Sequence, residues 1–302
     1  MQLDDKSIES SGPTEELEPE EIFSSSLEIL YDYLPITVAS AGSVYRYTFN
    51  GQSIGSENLI TITLLTPNTQ SANWSLHASD IWASSIYLAD HIDQVNLGAL
   101  ITSIGAQTHK KVYVLELGAA AGLPGILIAK LYGDAALVTV SDYPDEELIR
   151  TLSDNVARNE VSHSCRAIAY AWGSDPSCFL RDHVGFDVII AADTLWNPDL
   201  HCMFITSLKT TLKRSPTARV HLVAGLHTGR FTLQSFMSVA RKAGFEVETA
   251  LEKESMGPGE RFWSVVREGD EDEKERRRWV VWIVLRWSIH QLAEFHQVNS
   301  DV

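Results

Sequence analysis

Cysteine is scarce in this chain: Cys165, Cys178 and Cys202 are the three it has, and no C-x-x-C pair is among them. That count and spacing exclude a disulfide framework and a zinc ribbon, and they point to a reducing compartment. The ten histidines include no HExxH and no clustered ligand spacing, so no metal centre is expected. Basic charge is short as well. Against 40 Asp and Glu stand 24 Lys and Arg, a formal net charge of −16, whereas a phosphate backbone calls for a basic face; nucleic acid is not expected as a partner. Long apolar runs are also missing. The most apolar segment, Trp279 to Leu285, is far shorter than the roughly 20 residues that span a bilayer, and the first 21 residues lack the basic-then-apolar order of a signal peptide. A cytoplasmic protein with no membrane partner is expected.

What is present suits one α/β domain with additions at its ends, since 302 residues at 44% hydrophobic can bury a full core. Residues 1–21 are acidic and rich in Ser, Gly and Pro, a composition that predicts disorder. Residues 22–73 form an arm and a β-hairpin: Val44 to Phe49 and Leu59 to Leu65 read as paired strands around a turn beginning at Asn50-Gly51. Residues 74–289 form the main domain, and 290–302 a polar tail. The acidic run from Glu268 to Glu275 reads as a solvated loop.

The organising stretch runs from Val112 to Asp142. Val112 to Leu117 is a short apolar run; Gly118, Ala119, Ala120, Ala121 and Gly122 follow; Leu123 to Leu131 then takes a helical pattern. A second apolar run, Leu137 to Val140, ends near Asp142, closing a β-α-β unit. The turn lets backbone N–H groups and a positive helix end approach a ligand, because Gly118 has no side chain and Ala120 almost none. An acid about 20 residues further on accepts hydrogen bonds from ribose hydroxyls. An adenosine-containing cofactor is expected.

Glu116 to Gly122 resembles the Glu/Asp-x-Gly-x-Gly-x-Gly signature of class I, seven-β-strand S-adenosylmethionine methyltransferases, with Ala120 in place of the middle glycine. VLELGAAAGLPG followed by SDYPD resembles the lysine methyltransferase branch that includes elongation factor 1A methyltransferases and fungal nicotinamide N-methyltransferase-like proteins. The resemblance implies a Rossmann-like, seven-stranded, mostly parallel sheet with a reversed terminal strand, here Trp279 to Trp287. It implies S-adenosylmethionine as cofactor, bound by Trp82, Glu116, Gly118, Ala119, Ala120, Gly122, Asp142, Tyr143, Trp172 and Ala192. IWASSIYLADHI is similar to the segment in which an aromatic precedes the helix leading to the glycine turn; Trp74 is a departure, since the branch often has another tryptophan shortly before this one. Ala171-Trp172-Gly173 is similar to a Trp-Gly pair that packs near adenine. At the end of the fourth strand the branch reads Asp-x-x-Tyr/Phe; here Asp193-Thr194-Leu195-Trp196 keeps the acid and enlarges the aromatic, so Asp193 and Trp196 are the candidate catalytic pair.

The leading expectation is an N-methyltransferase acting on a protein lysine or N-terminal amine, with a translation elongation factor among the possible acceptors. A small-molecule amine such as nicotinamide is the alternative acceptor, and a non-catalytic adaptor with the same fold is the reading from another class. A nicotinamide-dependent dehydrogenase would share the glycine turn and Asp142. It is disfavoured because Trp82, Trp172 and the stretch from Asp193 to Trp196 fall where the methyltransferase pattern has them.

Overall fold

The two apolar runs that bracket the glycine turn form neighbouring parallel strands. A computed structural model of the protein describes residues 36–50, 59–69, 71–108, 111–180 and 184–300. The acidic first 21 residues, the arm up to residue 35 and the end of the Asn50-Gly51 turn lie outside the described residues. β1 (Val44–Asn50) and β2 (Leu59–Leu65) pair antiparallel, Val44 opposite Leu65 and Asn50 opposite Leu59. Tyr47, Phe49, Ile62 and Leu64 are buried, so the period-two alternation turns one face of the hairpin to the core.

The main sheet contains β3 (Val112–Leu117), β4 (Ala136–Asp142), β5 (Cys165–Ala169), β6 (Val188–Ala192), β7 (Arg219–Gly225), β8 (Phe245–Glu254), β9 (Glu260–Phe262) and β10 (Trp279–Trp287), in the order β5-β4-β3-β6-β7-β10-β8-β9. β3, β4, β5, β6 and β7 pair parallel with one another. β10 is antiparallel to both β7 and β8, so the reversed strand sits between the fifth and sixth of the seven expected. The three residues of β9 add an eighth, paired antiparallel with β8.

Helices α1 (Ala83–Asp90), α2 (Leu97–Thr108), α3 (Leu123–Tyr132), α4 (Glu146–Arg158), α5 (His201–Thr211), α6 (Arg230–Lys242), α7 (Glu273–Arg277) and α8 (Ile289–Ser300) complete the described chain. α4 shows how the sequence sets such an element. Asp145 caps it by accepting from Leu148 N at 3.0 Å, two glutamates occupy its first turn, and Leu148, Leu152 and Val156 form a buried stripe; cap, dipole and spacing agree. The same helix fastens the hairpin. Asn155 accepts from Leu65 N and donates to Leu65 O, and Asn159 does the same for Thr63, so two asparagines one turn apart satisfy the open edge of β2.

Two elements differ from the sequence reading. The acidic run before β10 is largely structured: Val265–Gly269 is a 3-10 turn and Glu273–Arg277 a helix, and its acids meet arginines. Arg230, fully buried, donates to Glu252 at 2.6 Å and to Glu271 at 2.7 Å, while Arg267 reaches Glu252 at 2.8 Å and Arg261 pairs with both carboxylates. The terminal segment expected as a tail runs as α8, whose Leu292 packs against the core. Among the described residues no helix is long and apolar enough to cross a membrane.

Candidate active site

The carboxyl ends of β3, β4, β6 and β7 open in one direction, so the loops that follow them converge. The glycine turn comes first. Gly118 has φ +69° and lies so close to its neighbours that a Cβ there would stand 2.7 Å from Thr194 Cγ2 and 3.3 Å from Trp172 Cζ2. Ala120, in place of the middle glycine of the signature, still takes φ +47°, a conformation that costs a residue with a Cβ about 1–2 kcal/mol. Its N–H donates to Asp142 Oδ2 at 2.7 Å, and a hydrogen bond to a carboxylate offsets a cost of that size.

Asp142 ends β4 and is buried. Oδ2 takes the Ala120 amide, and Oδ1 takes that of Tyr143 at 2.7 Å. A carboxylate offers about four acceptor positions, which leaves capacity for two ribose hydroxyls. Burial, with repulsion from Asp145, pushes its pKa up to about 6 against the two amides that hold it down. Glu116 is more deeply enclosed. Its Oε2 accepts from Gly125 N at 2.9 Å inside the first turn of α3, and burial pushes its pKa up to about 8. The residue thus holds the helix start against the strand end.

A cavity of about 220 Å³ lies over the turn. Gly118, Ala120, Asp142, Tyr143, Trp172 and Ala192 line it, together with Trp82, Asp193 and Trp196. Glu116, Ala119 and Gly122 line a smaller recess beside it, which shares Trp82, Gly118, Ala120 and Ala192. The sequence-derived candidates are therefore gathered at these two adjoining recesses. A larger recess of about 590 Å³ lies elsewhere, beside β7, β8 and β10; it shares none of these residues.

Trp172 is braced edge-on against Phe204, ring centres 4.8 Å apart, and the next residue, Gly173, donates to Ser207 Oγ at 2.8 Å. A fixed indole of this kind offers an apolar wall to a flat ring. The residues present fit an adenosyl sulfonium: a carboxylate with free acceptor positions, a cradle that a Cβ at Gly118 would fill, and an aromatic wall.

Asp193 follows β6 with φ +50°. Oδ1 accepts from Gly225 N at 2.8 Å. Oδ2 is buried and has no hydrogen-bond partner among the described residues, an arrangement that costs free energy unless a ligand completes it. His201 lies with Nε2 2.9 Å from the Leu195 carbonyl, fixing the loop that carries Trp196. Aromatic rings extend this end of the site. Trp196 meets His77 at 5.1 Å edge to face, and His77 meets Trp82 at 6.1 Å. Trp82 Nε1 donates to His77 O at 2.9 Å.

His77 and the histidine at position 227 were not found by sequence reasoning. His77 has no periodicity to mark it, although its φ of +53° sets it apart in the structure. His227 did carry a signal: it lies just past β7, the kind of strand end at which open α/β sheets bind their ligands. Trp74 lies in the 3-10 turn Ser71–Leu76 that precedes this wall.

Residues 65–242 match a family described as lysine methyltransferase. Over 187 residues the chain is 32% identical to the protein N-terminal and lysine N-methyltransferase efm7 of Schizosaccharomyces pombe, an alignment that covers 59% of this chain and 69% of that one. Proteins of the same name from Gibberella zeae and Neurospora crassa are 32% and 30% identical, over 58% and 63% of this chain and 69% and 71% of theirs. With more than half of its length inside the family's span, and with the cavity lying at that span's strand ends, the chain belongs to the lysine methyltransferase family and is an S-adenosylmethionine-dependent methyltransferase.

Proposed function

We propose that this enzyme methylates amines of a protein, a lysine side chain or an N-terminal amine, at the end of the cavity formed by Asp193 and Trp196. The observation that carries the reading is the buried Oδ2 of Asp193, without a hydrogen-bond partner among the described residues, beside an aromatic wall. Together they suit a cationic amine on an alkyl stem. The names of the fungal relatives support the same acceptor class. When bound, S-adenosylmethionine supplies a methyl group on a positively charged sulfur. The chain itself binds, orients and excludes water, and positioning of this kind carries most of the acceleration in such a transfer.

Asp142 holds the ribose, the turn from Gly118 to Gly122 admits the rest of the cofactor, Trp172 flanks the adenine and Tyr143 borders it. An acceptor lysine, with a reference pKa near ~10.4, arrives protonated. Asp193 Oδ2 orients the nitrogen, and Trp196 packs on the stem or holds the cation over its ring face, an interaction of about 0.5–2 kcal/mol. The three cysteines are unpaired, which supports a cytoplasmic setting. A translation elongation factor is the first candidate acceptor on the family resemblance.

The test is transfer of labelled methyl from S-adenosylmethionine into a fractionated lysate, with protein and small-molecule fractions scored separately. Label in discrete protein bands, mapped to lysine or terminal amine, is the expected result. Label confined to small molecules, or cofactor binding with no transfer to any fraction, overturns the reading.

A further inference from the structure

Past the end of β7 stands a histidine without an assigned task. His227 lies in the 3-10 turn Leu226–Thr228, and its Nε2 is 4.0 Å from Asp193 Oδ1. Its ring stacks on Trp82, centres 5.6 Å apart and planes within 20°, so one side chain links the aromatic wall to the carboxylate. Gly225 admits it: a Cβ there would lie 2.3 Å from both His227 Cε1 and Nδ1. The same glycine donates its N–H to Asp193 Oδ1, which sets the acid and the imidazole against one backbone position. His227 keeps 19% of its side chain exposed, leaving a path for a proton to solvent.

The turn that carries this ring is anchored from behind. Arg230 begins α6 two residues after Thr228, is fully buried, and reaches Glu252, Glu271 and the Ser264 carbonyl, while its own N–H donates to Glu268 at 2.9 Å. Of the charged groups, Asp193 faces His227 from the loop after β6. Trp82, from the segment leading into α1, faces it with an uncharged indole, and Arg230, at the start of α6, is directed into the glutamates.

We propose that His227 takes the proton from the acceptor ammonium held on Asp193, and so makes the nitrogen pair available for methylation. The inference rests on the reading that the acceptor is an amine. In the step an N–H bond of the ammonium breaks and its electron pair stays on nitrogen. The proton binds the free nitrogen of the imidazole, giving imidazolium, which then returns it to water; no oxidant or further reactant is needed. An imidazole is a stronger base than a carboxylate, and the division of labour follows: Asp193 orients, His227 accepts.

The experiment uses the full-length chain, labelled S-adenosylmethionine and the protein fractions of a lysate, with rates taken under single-turnover conditions from pH 6 to pH 10. His227→Phe keeps an aromatic ring against Trp82 but has no proton acceptor; His227→Ala leaves room for added imidazole. Cofactor affinity is measured in parallel by calorimetry. Loss of a general base costs about 100-fold or more in rate, so His227→Phe is expected to be slowed by that factor at pH 7 with unchanged cofactor affinity. Its deficit should shrink as pH rises and solvent deprotonates the amine, and imidazole should restore part of the activity of His227→Ala. A His227→Phe enzyme with the wild-type rate and pH profile overturns the proposal, as does a slow enzyme whose deficit is constant with pH and unrescued by imidazole. If the wild-type chain labels no amine, the acceptor reading falls and this inference with it. If the wild type labels amines and the variants match it, only the role of His227 falls.

Discussion

Removing the Asp142 carboxylate takes away two things at once: the acceptor for the Ala120 and Tyr143 amides, each at 2.7 Å, and the acid assigned to the ribose. A simple loss of affinity in Asp142→Ala would not separate them. The separation comes from a double-mutant cycle in which the second change is made in the ligand, by comparing S-adenosylhomocysteine with its 2′-deoxy analogue on both proteins. A hydrogen bond to a charged group is worth ~1.5–3 kcal/mol, so the wild type should favour the hydroxylated ligand by about 10- to 150-fold. In Asp142→Ala that preference should collapse towards unity, and the coupling between residue and hydroxyl should recover most of those ~1.5–3 kcal/mol. Loss of the amide acceptors adds a separate, ligand-independent drop in melting temperature, because Ala120 keeps its left-handed φ of +47° without the bond that offset it. Calorimetry should be done near pH 8, where a group with a pKa of about 6 is ionised; affinity for the hydroxylated ligand should decline as pH falls through that value. If Asp142→Ala kept the wild-type preference for the 2′-hydroxyl, the assignment of the ribose to this carboxylate would be refuted, whatever happened to stability.

Three further outcomes follow from the same geometry. Trp196→Ala should lower kcat/KM for acceptor protein about 10-fold or more, the scale of one cation–π or packing contact, while calorimetric affinity for the cofactor stays near wild type; equal losses in both would remove its acceptor role. For Glu116 the sign is unusual for a carboxylate. Its folded pKa of about 8 exceeds the reference 4.5, so the native state retains a proton that the unfolded chain has released, and stability falls as pH rises from about 4.5 through about 8, at about 1.4 kcal/mol per unit at most. Glu116→Gln keeps an acceptor for Gly125 N and carries no charge, so chemical denaturation should show a shallower fall in stability than wild type across that window and a higher stability beyond it; parallel curves would refute the argument. Glu252→Ala leaves the buried Arg230 and its neighbours Arg261 and Arg267 short of an acceptor, and breaking such a pair costs ~3–5 kcal/mol. An unchanged melting temperature would mean that the network contributes nothing net.

The recess proposed for the cofactor gathers residues that the sequence marked, because their pattern is local in sequence. A strand, a small-residue turn, a helix start and an acid at the next strand end lie within Val112 to Asp142, and each leaves a pattern: an apolar run, Gly118 where a Cβ would meet Thr194, a proline in the first turn of α3, an acid at a strand end. The end of the cavity proposed for the acceptor, with the histidine proposed to serve it, is assembled from segments far apart in the chain. His77 precedes the main sheet, Asp193 follows β6, and His227 follows β7. Nothing in a one-dimensional pattern states that Gly225 will bring the last two within 4.0 Å. For the same reason the asparagines of α4 passed unnoticed, since Asn155 and Asn159 look like ordinary polar helix positions until β2 presents its edge to them.

The acidic stretch before β10 shows why charge is the harder signal. Like-sign runs repel and stay solvated when nothing opposes them, and the charge of that stretch by itself offers no reason to fold. The opposing charges come from Arg276, Arg277 and Arg278 just after the stretch, which pair with Glu268, Glu273 and Glu275, from Arg261 in β9 and from Arg230, which no local pattern marks as buried. Once Arg230 is enclosed its guanidinium must be paired, because an unpaired buried charge costs several kcal/mol; Glu252 and Glu271 are then drawn in, and the extension beyond β8 folds over the start of α6. The consequence reaches the end of the cavity proposed for the acceptor. Arg230 and His227 lie three residues apart on one short connection, so the network that makes the acidic segment fold also holds the turn that carries the imidazole. Loosening it through Glu252→Ala should therefore lower acceptor methylation at temperatures where the protein is still folded, with cofactor affinity little changed, because the turn from Gly118 to Gly122 and Asp142 belong to other strands. A variant that lost cofactor affinity and methylation in proportion would show instead that the network supports the sheet as a whole.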